Sequence, residues 1–178
     1  GPAHNQLAWV LSQRKQWDAA LAEVQEAIRQ DAKSPGFRMH LASIHRQRGN
    51  PQAAVGVYRE LLQTDPIYLP AHLDLAWTLY GLKDFNAALV PAREAVRLQP
   101  DSGTHTLLGT VLSEAGQLDE AYKEFQEALR LDPKNAMAHN NLGVLYQKRG
   151  DVASALAEFR EAARLDPNEE LYRKNVAR

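Results

Sequence analysis

Residues 136–169 read AMAHNNLGVLYQKRGDVASALAEFREAARLDPNE, and this stretch decides the fold. Its first half places apolar residues at the spacing of one helix face, and its second half carries another such stripe. Gly150 and Asp151 separate the two stripes, because glycine often ends a helix and aspartate can cap the next one. Pro167 stops the second stripe, since its ring disfavours helical geometry at the residue before it. The stretch therefore predicts two helices, neither of which can bury its apolar stripe alone.

The helix-stopping prolines recur along the chain. Pro66, Pro100, Pro133 and Pro167 are separated by 34, 33 and 34 residues, and Ala32 stands at the corresponding place in the first repeat. A period of this size is typical of stacked repeats rather than of one globular core. Residues 1–169 are therefore expected to form a single solenoid, and residues 170–178 a capping helix or the start of a sixth repeat. The five repeats are 1–34, 35–68, 69–102, 103–135 and 136–169.

The repeats share a pattern of residue sizes when each is numbered so that its terminal proline takes position 32. Position 7 is always leucine, position 8 is alanine or glycine, position 20 is always alanine, and position 24 is aromatic in three repeats. Over residues 3–169 this pattern resembles the tetratricopeptide repeat (TPR) family. The resemblance implies an all-α fold, a right-handed TPR superhelix of antiparallel helix pairs. Position 4, where the family carries an aromatic residue, is here His4, Arg38, His72, His105 and His139.

Composition and charge exclude several classes of partner. A net charge of −1 and a pI near 6.7 favour neither nucleic acid nor a membrane surface as the main partner. The absence of cysteine excludes disulfides and thiolate metal sites, and leaves the redox compartment open. No apolar run approaches the roughly 18 residues of a membrane helix, so direct membrane insertion is not expected. Gly1-Pro2 is typical of the scar that tag removal leaves, and the localisation stays unassigned.

Catalytic signals are missing from the sequence. It contains no phosphate loop, no nucleophile elbow and no paired carboxylates beyond those the repeats explain, so we expect no enzyme activity and no cofactor. The position-4 histidines cannot share a metal ion, because equivalent residues of stacked repeats lie on the order of 10 Å apart and metal ligands lie about 2 Å from their ion. These histidines are expected to take the place of the packing aromatic.

Two local features of the second helices lead to further expectations. Pro91 lies inside a predicted helix, where proline removes a hydrogen bond, so a kink or a loosened turn is expected there. Every second helix except that of repeat 2 carries a glutamate three residues before an arginine, and such pairs are typical of a solvated face.

The resemblance to TPR proteins also implies where a partner would bind. In that family the first helices of successive repeats line a concave groove. Trp9 and Trp77 occupy position 9, which is not part of the packing signature, and exposed tryptophans are frequent binding hot spots. Alternatively, Trp9 fills the N-terminal end of the stack and Trp77 packs against a neighbouring helix. The predicted partner-binding residues are Trp9, Met39, Ser43, Leu73, Trp77, Tyr80, Thr110, Asn140, Val144 and Gln147.

The composition of this predicted groove favours one kind of protein or peptide partner. Its first three repeats are apolar and aromatic, which suits an extended or helical peptide with apolar anchors better than an acidic tail. The set of lysines, arginine and asparagines with which some TPR proteins capture C-terminal carboxylates is not present in consecutive repeats. We therefore expect a non-catalytic interaction scaffold or adaptor, similar to bacterial TPR proteins of assembly, export or envelope complexes. The alternatives are a scaffold that self-associates into a homo-oligomer, and the substrate-recruiting arm of a larger enzyme such as a glycosyltransferase.

Overall fold

The computed structural model describes residues 1–177, and all regular structure within this range is helical. The prediction of an all-α chain built from helix pairs is confirmed, with one pair for each of the five repeats. The helices are α1 (Pro2–Gln13), α2 (Trp17–Gln30), α3 (Pro35–Gln47), α4 (Pro51–Thr64), α5 (Leu69–Gly81), α6 (Phe85–Leu98), α7 (Ser102–Glu114), α8 (Leu118–Leu131), α9 (Ala136–Lys148), α10 (Val152–Leu165) and α11 (Glu170–Val176).

The helix ends follow the signals in the sequence. Gly150 follows α9 with a φ of +80°, a conformation that glycine adopts without strain. The Asp151 side chain then accepts a hydrogen bond from the backbone N–H of Ser154 at 3.1 Å and caps α10. Pro51 lies in the first turn of α4, where its missing N–H leaves no helical bond unmade. Pro91 is buried inside α6, and the helix continues through it without a break.

The chain divides into two compact units, which we describe separately. The N-terminal unit is residues 1–83 and the C-terminal unit begins at residue 84, so the boundary falls between α5 and α6. In the N-terminal unit α1 packs on α2 and α3 on α4, and α2 and α4 each contact the helix that follows. In the C-terminal unit α7 packs on α8, α9 on α10, and α11 on α10. The single solenoid over residues 1–169 stays a prediction, as do the two readings of residues 170–178, of which Arg178 lies outside the described residues.

Complementary sizes at positions 8 and 24 set the packing of the helix pairs in repeats 4 and 5. A Cβ atom added to Gly143 would lie 2.6 Å from Cε1 of Phe159, and one added to Gly109 would lie 2.7 Å from Cε1 of Phe125. Real Cβ atoms essentially never approach a carbon so closely. Both phenylalanine rings are buried against the facing helix. Position 8 is therefore glycine in the two repeats where position 24 is phenylalanine.

The leucine at position 7 is less exposed where a preceding repeat lies against it, being half-buried at Leu41 and buried at Leu75. Leu41 packs against a core cluster that includes Ala20 and Val24 of the first repeat. Leu75 is 6% exposed, whereas Leu7 is 45% exposed, although both occupy position 7. Leu7 differs because α1 is the first helix of the described chain.

The predicted glutamate–arginine pairs form on the second helices. In each pair the arginine Nε donates to a glutamate Oε2 at 2.8 Å. The arginine side chains are 60–69% exposed, so water screens each pair and it adds little to the free energy of unfolding. The four pairs are Glu26–Arg29, Glu94–Arg97, Glu127–Arg130 and Glu161–Arg164.

Candidate functional site

The ten predicted partner-binding residues all occupy positions 5, 9 or 12 of their repeats. These positions are four and three residues apart, so they fall on one face of a helix. Six of the residues lie on α1, α3 and α5 in the N-terminal unit, and four lie on α7 and α9 in the C-terminal unit. The N-terminal face is Trp9, Met39, Ser43, Leu73, Trp77 and Tyr80, and the C-terminal face is Thr110, Asn140, Val144 and Gln147.

Two exposed indoles dominate the N-terminal face. Trp9 is 55% exposed, which does not match a ring that fills the end of the stack, and Trp77 is 36% exposed. The Trp77 and Tyr80 rings meet edge to face, with centroids 5.7 Å apart and planes at 84°. Such aromatic pairs contribute about 0.5–1.5 kcal/mol beyond the area they bury. The contact therefore fixes the Trp77 ring while more than a third of its surface stays open.

Hydrogen bonds between the first helices hold the N-terminal face. His40 Nδ1 donates to Asn5 Oδ1 at 2.7 Å, which joins α3 to α1. Burial lowers the pKa of His40, so the ring is a neutral donor at neutral pH. Arg46 lies 3.7 Å from Asp74, and the Tyr58 hydroxyl donates to the same carboxylate at 3.3 Å. Burial raises the pKa of Tyr58, which keeps that hydroxyl protonated. The exposed side chains therefore stand on a framework with fixed spacing.

The C-terminal face is built differently, because its polar groups bond to one another. Asn135 Nδ2 donates to Ser102 Oγ at 2.7 Å and to Thr106 Oγ1 at 3.0 Å. Asn141 Nδ2 donates to Thr110 Oγ1 at 2.8 Å. These bonds join α9 to α7 along their length, and they use donors and acceptors that a partner would otherwise need.

The same arrangement continues to the last helix and buries two predicted site residues. Asn175 of α11 donates to Asn140 Oδ1 at 2.8 Å, and Asn140 is only 4% exposed. Thr110 is 9% exposed. Gln147 remains exposed and Val144 is half-buried. The partner-binding role of all ten residues stays a prediction, and the exposed groups that favour it are concentrated on the N-terminal face.

Three of the position-4 histidines form a repeated contact with a glutamate that the sequence pattern did not lead us to expect. In each of three repeats the histidine Nδ1 lies 2.6 Å from the Oε2 of a glutamate at position 23 of the same repeat. The signal was the spacing of 19 residues between histidine and glutamate, which recurs in repeats 1, 4 and 5. The pairs are His4–Glu23, His105–Glu124 and His139–Glu158.

Two further features of residues 1–177 bear on the class of site. Within that range no helix is both long and apolar enough to span a bilayer. The described residues also contain no group of three or more histidine, aspartate or glutamate side chains placed to hold a metal ion.

Comparison with solved structures identifies the fold. MamA from Desulfovibrio magneticus RS-1, residues 41 to the end, superposes with a TM-score of 0.82 at 22% identity, over 95% of this chain and 96% of that one. YrrB, described as a TPR protein with an unusual peptide-binding site, superposes with a TM-score of 0.76 at 23% identity, over 96% of this chain and 89% of that one. At these identities the likeness shows a shared fold.

Sequence comparisons agree with the structural ones. The protein O-mannosyl-transferase Tmtc1 of Drosophila melanogaster is 34% identical over 110 residues, which is 57% of this chain but only 13% of that protein. A family model described as tetratricopeptide repeat matches residues 5–67 and 106–170, and a second model with the same description matches residues 45–104. These matches span all five repeats. The chain therefore belongs to the tetratricopeptide repeat family.

Proposed function

We propose that this chain is a non-catalytic TPR scaffold or adaptor that binds a segment of a partner protein on its N-terminal face. Membership of the TPR family supports a role in protein interaction. The observation that carries the proposal is Trp77, which is 36% exposed and held against Tyr80 at a position that the helix packing does not use. Exposed aromatic residues on a fixed framework are the groups that dominate binding energies at protein interfaces.

The chemistry of the N-terminal face suits a peptide or helix with apolar anchors. Met39 and Leu73 are half-buried and belong to the same N-terminal face as the indoles, so an anchor side chain would meet apolar groups there. Taking roughly 250 Å² for a tryptophan and about 25 cal/mol per Å² buried, covering the exposed part of Trp77 supplies about 2 kcal/mol, and covering that of Trp9 about 3 kcal/mol. On the C-terminal face a partner would exchange existing hydrogen bonds for new ones, with little net gain.

The proposal is tested by removing the anchors and keeping the framework. We would capture partners from the source lysate with the parent chain, with a Trp77→Ala, Tyr80→Ala double variant, and with Ile67→Ala as a matched control. Ile67 is 68% exposed in the same unit but lies in the α4–α5 connection, off the N-terminal face. Circular dichroism verifies that all three chains are equally helical.

We expect the parent and Ile67→Ala to retain the same partner and the double variant to lose it. Titration with the purified partner should then show at least a tenfold weaker affinity for the double variant, which corresponds to about 1.4 kcal/mol. Equal affinity for all three chains would place the site elsewhere. If none retains a partner and light scattering shows a mass that rises with concentration, the homo-oligomeric alternative replaces the proposal.

The Tmtc1 match supports a second candidate, in which this chain is the substrate-recruiting TPR portion of a larger enzyme such as a glycosyltransferase. The relative is named as an O-mannosyl-transferase, and the matched stretch is 13% of its length. Sequencing the source gene on both sides of these residues tests this candidate, because a catalytic domain must lie in the same reading frame. If no catalytic domain is encoded there, we retain the proposal of a scaffold within an assembly, export or envelope complex. The identity of the captured partner then identifies that complex.

A further inference from the structure

Repeats 2 and 3 both lack the histidine–glutamate contact of repeats 1, 4 and 5, and repeat 2 also replaces the histidine by an arginine. Where repeat 1 places His4 against Glu23, the same two positions of repeat 2 hold Arg38 and Val57. Repeat 2 therefore has a permanent cation at position 4 and no carboxylate at position 23. The hydrogen bond that Arg38 makes goes to the carbonyl oxygen of Ala32 through Nη1, and not to an acid. An arginine has five N–H donors, so most of its capacity to bind an anion is unused.

Open space lies beside this arginine. A cleft of about 330 Å³ is bounded by α2, α3 and α4, and we call it the Arg38 cleft. Its apolar wall is formed by Ile28, Leu41 and Val57. A second cavity of about 490 Å³ borders the same arginine, where Ala32 stands in place of the helix-stopping proline. Arg38 thus lies between two cavities, in a place where repeats 1, 4 and 5 have a carboxylate of their own.

The other charged groups of the Arg38 cleft leave it able to take an anion. Arg29 also lines the cleft, but its guanidinium is already held by Glu26 at 2.8 Å. Glu60 is the acid in the lining, and it is exposed. In α4 the arginine that would pair with Glu60 is replaced by Gln63, and Asp65 lines the second cavity. Glu60 and Asp65 are therefore the internal competitors for Arg38.

We propose that the Arg38 cleft binds a short aliphatic carboxylate, which has the chemistry of the glutamate side chain that repeat 2 lacks. The carboxylate accepts two parallel hydrogen bonds from the guanidinium, a geometry in which arginine surpasses lysine. The aliphatic body lies on Ile28, Leu41 and Val57. A volume of about 330 Å³ falls at the lower end of the range for small-molecule sites. The carboxylate belongs either to a free small acid or to a glutamate side chain of a bound peptide, and the site is independent of the N-terminal face.

The test is a titration of the methyl-labelled full chain with sodium hexanoate, followed by two-dimensional NMR against sodium chloride at equal ionic strength. We expect saturable shifts of the Ile28, Leu41 and Val57 methyl signals with a dissociation constant on the order of 1 mM. A parallel titration with acetyl-Gly-Glu-Gly-amide separates the sources. Shifts with the peptide as well as with hexanoate show that a side chain suffices, and shifts with hexanoate alone assign the site to free acids.

Variants decide whether the arginine is responsible. Arg38→Gln should weaken hexanoate binding at least tenfold, whereas Arg59→Gln, which removes an exposed arginine of α4 outside the cleft lining, should leave it unchanged. Val57→Glu places the missing carboxylate on the chain itself and should abolish the titration while raising the urea midpoint.

Three results would overturn the proposal. The first is that the parent chain shows no saturable shift with either probe. The second is that Arg38→Gln binds as well as the parent. The third is that only Glu60→Gln binds, since the native cleft would then be closed by its own glutamate.

Discussion

Replacing Gly143 by alanine tests the packing rule that joins positions 8 and 24. Gly143 lies inside α9, and a Cβ added there would be 2.6 Å and 2.7 Å from two carbons of Phe159 and 3.1 Å from the carbonyl oxygen of Ala155. Carbon atoms in contact prefer about 3.5–4.0 Å, so the ring must move by about 1 Å. Phe159 is 2% exposed and has little room to do so.

The magnitude follows from two opposing effects. Alanine is favoured over glycine by about 1 kcal/mol in a helix interior. Overpacking a filled core costs about 1–3 kcal/mol. The upper value applies because the carbonyl oxygen of Ala155 also restricts the space for the new methyl group. We therefore expect Gly143→Ala to lower the free energy of unfolding by about 2 kcal/mol. Gly56 is the matched control, because it lies inside α4 with no atom within 4 Å of its virtual Cβ, and Gly56→Ala should raise stability by up to about 1 kcal/mol.

Urea denaturation of both variants, followed by circular dichroism and by fluorescence, measures these changes. The two substitutions are chemically identical, so a difference in sign can come only from their surroundings. A double variant with Phe159→Leu adds a second check, since replacing the ring by a smaller aliphatic side chain should remove most of the cost of Gly143→Ala. If Gly143→Ala stabilises the chain as much as Gly56→Ala does, then Phe159 relaxes freely and the packing rule is refuted.

Two other predictions concern pH and an inter-repeat contact. Burial lowers the pKa of His40 and of His45. Below about pH 6.5 the unfolded chain therefore binds more protons than the folded chain, and the free energy of unfolding decreases as the pH is lowered. Between about pH 7 and pH 5 a His40→Gln, His45→Gln variant should lose less unfolding free energy than the parent, and parallel curves would exclude these two rings as the cause. Arg149→Ala should lower the free energy of unfolding by about 1–2 kcal/mol, because Arg149 donates to a backbone carbonyl of α8 at 2.9 Å and lies 5.1 Å from the Tyr122 ring centroid. Asp119→Asn should change the free energy of unfolding by less than about 0.5 kcal/mol, because the Asp119 carboxylate that pairs with Arg149 is 97% exposed. If the two variants lower the urea midpoint equally, the Arg149–Asp119 ion pair matters more than the contact of Arg149 with the Tyr122 ring.

The fold was predictable because its determinants are local and repeated. Gly150, Asp151 and Pro167 each act on the backbone within a few residues, so their effect can be read without knowing the neighbours. The small residue at position 8 is similarly explained by position 24 of the same repeat. Leu7 shows where local reasoning ends, since its exposure depends on whether another helix lies in front of α1.

The candidate site was less predictable, because side-chain partners lie far apart in the chain. Asn135 donates a hydrogen bond to Ser102, which precedes it by 33 residues. The residue spacing within a single repeat does not predict such a contact between repeats. Thr110 was predicted to face a partner because position 9 does so elsewhere in the family, yet an asparagine of the next repeat covers it. A polar residue in the groove of a repeat protein can serve either a partner or the neighbouring helix, and the residue type alone does not distinguish the two.

Departures from the repeat pattern carry more functional information than the pattern itself. A residue that matches the pattern is explained by packing, as Ala8 and Leu75 are, and it says nothing specific about this chain. Arg38 has no such explanation, because a histidine with its glutamate partner satisfies the same place in repeats 1, 4 and 5. Trp77 also lies outside the packing positions and keeps a third of its surface open. A half-buried cation without a carboxylate partner and an exposed indole both raise the free energy of the isolated chain. Each is lowered by a ligand that supplies the missing group, and these two places are therefore where binding partners should be sought.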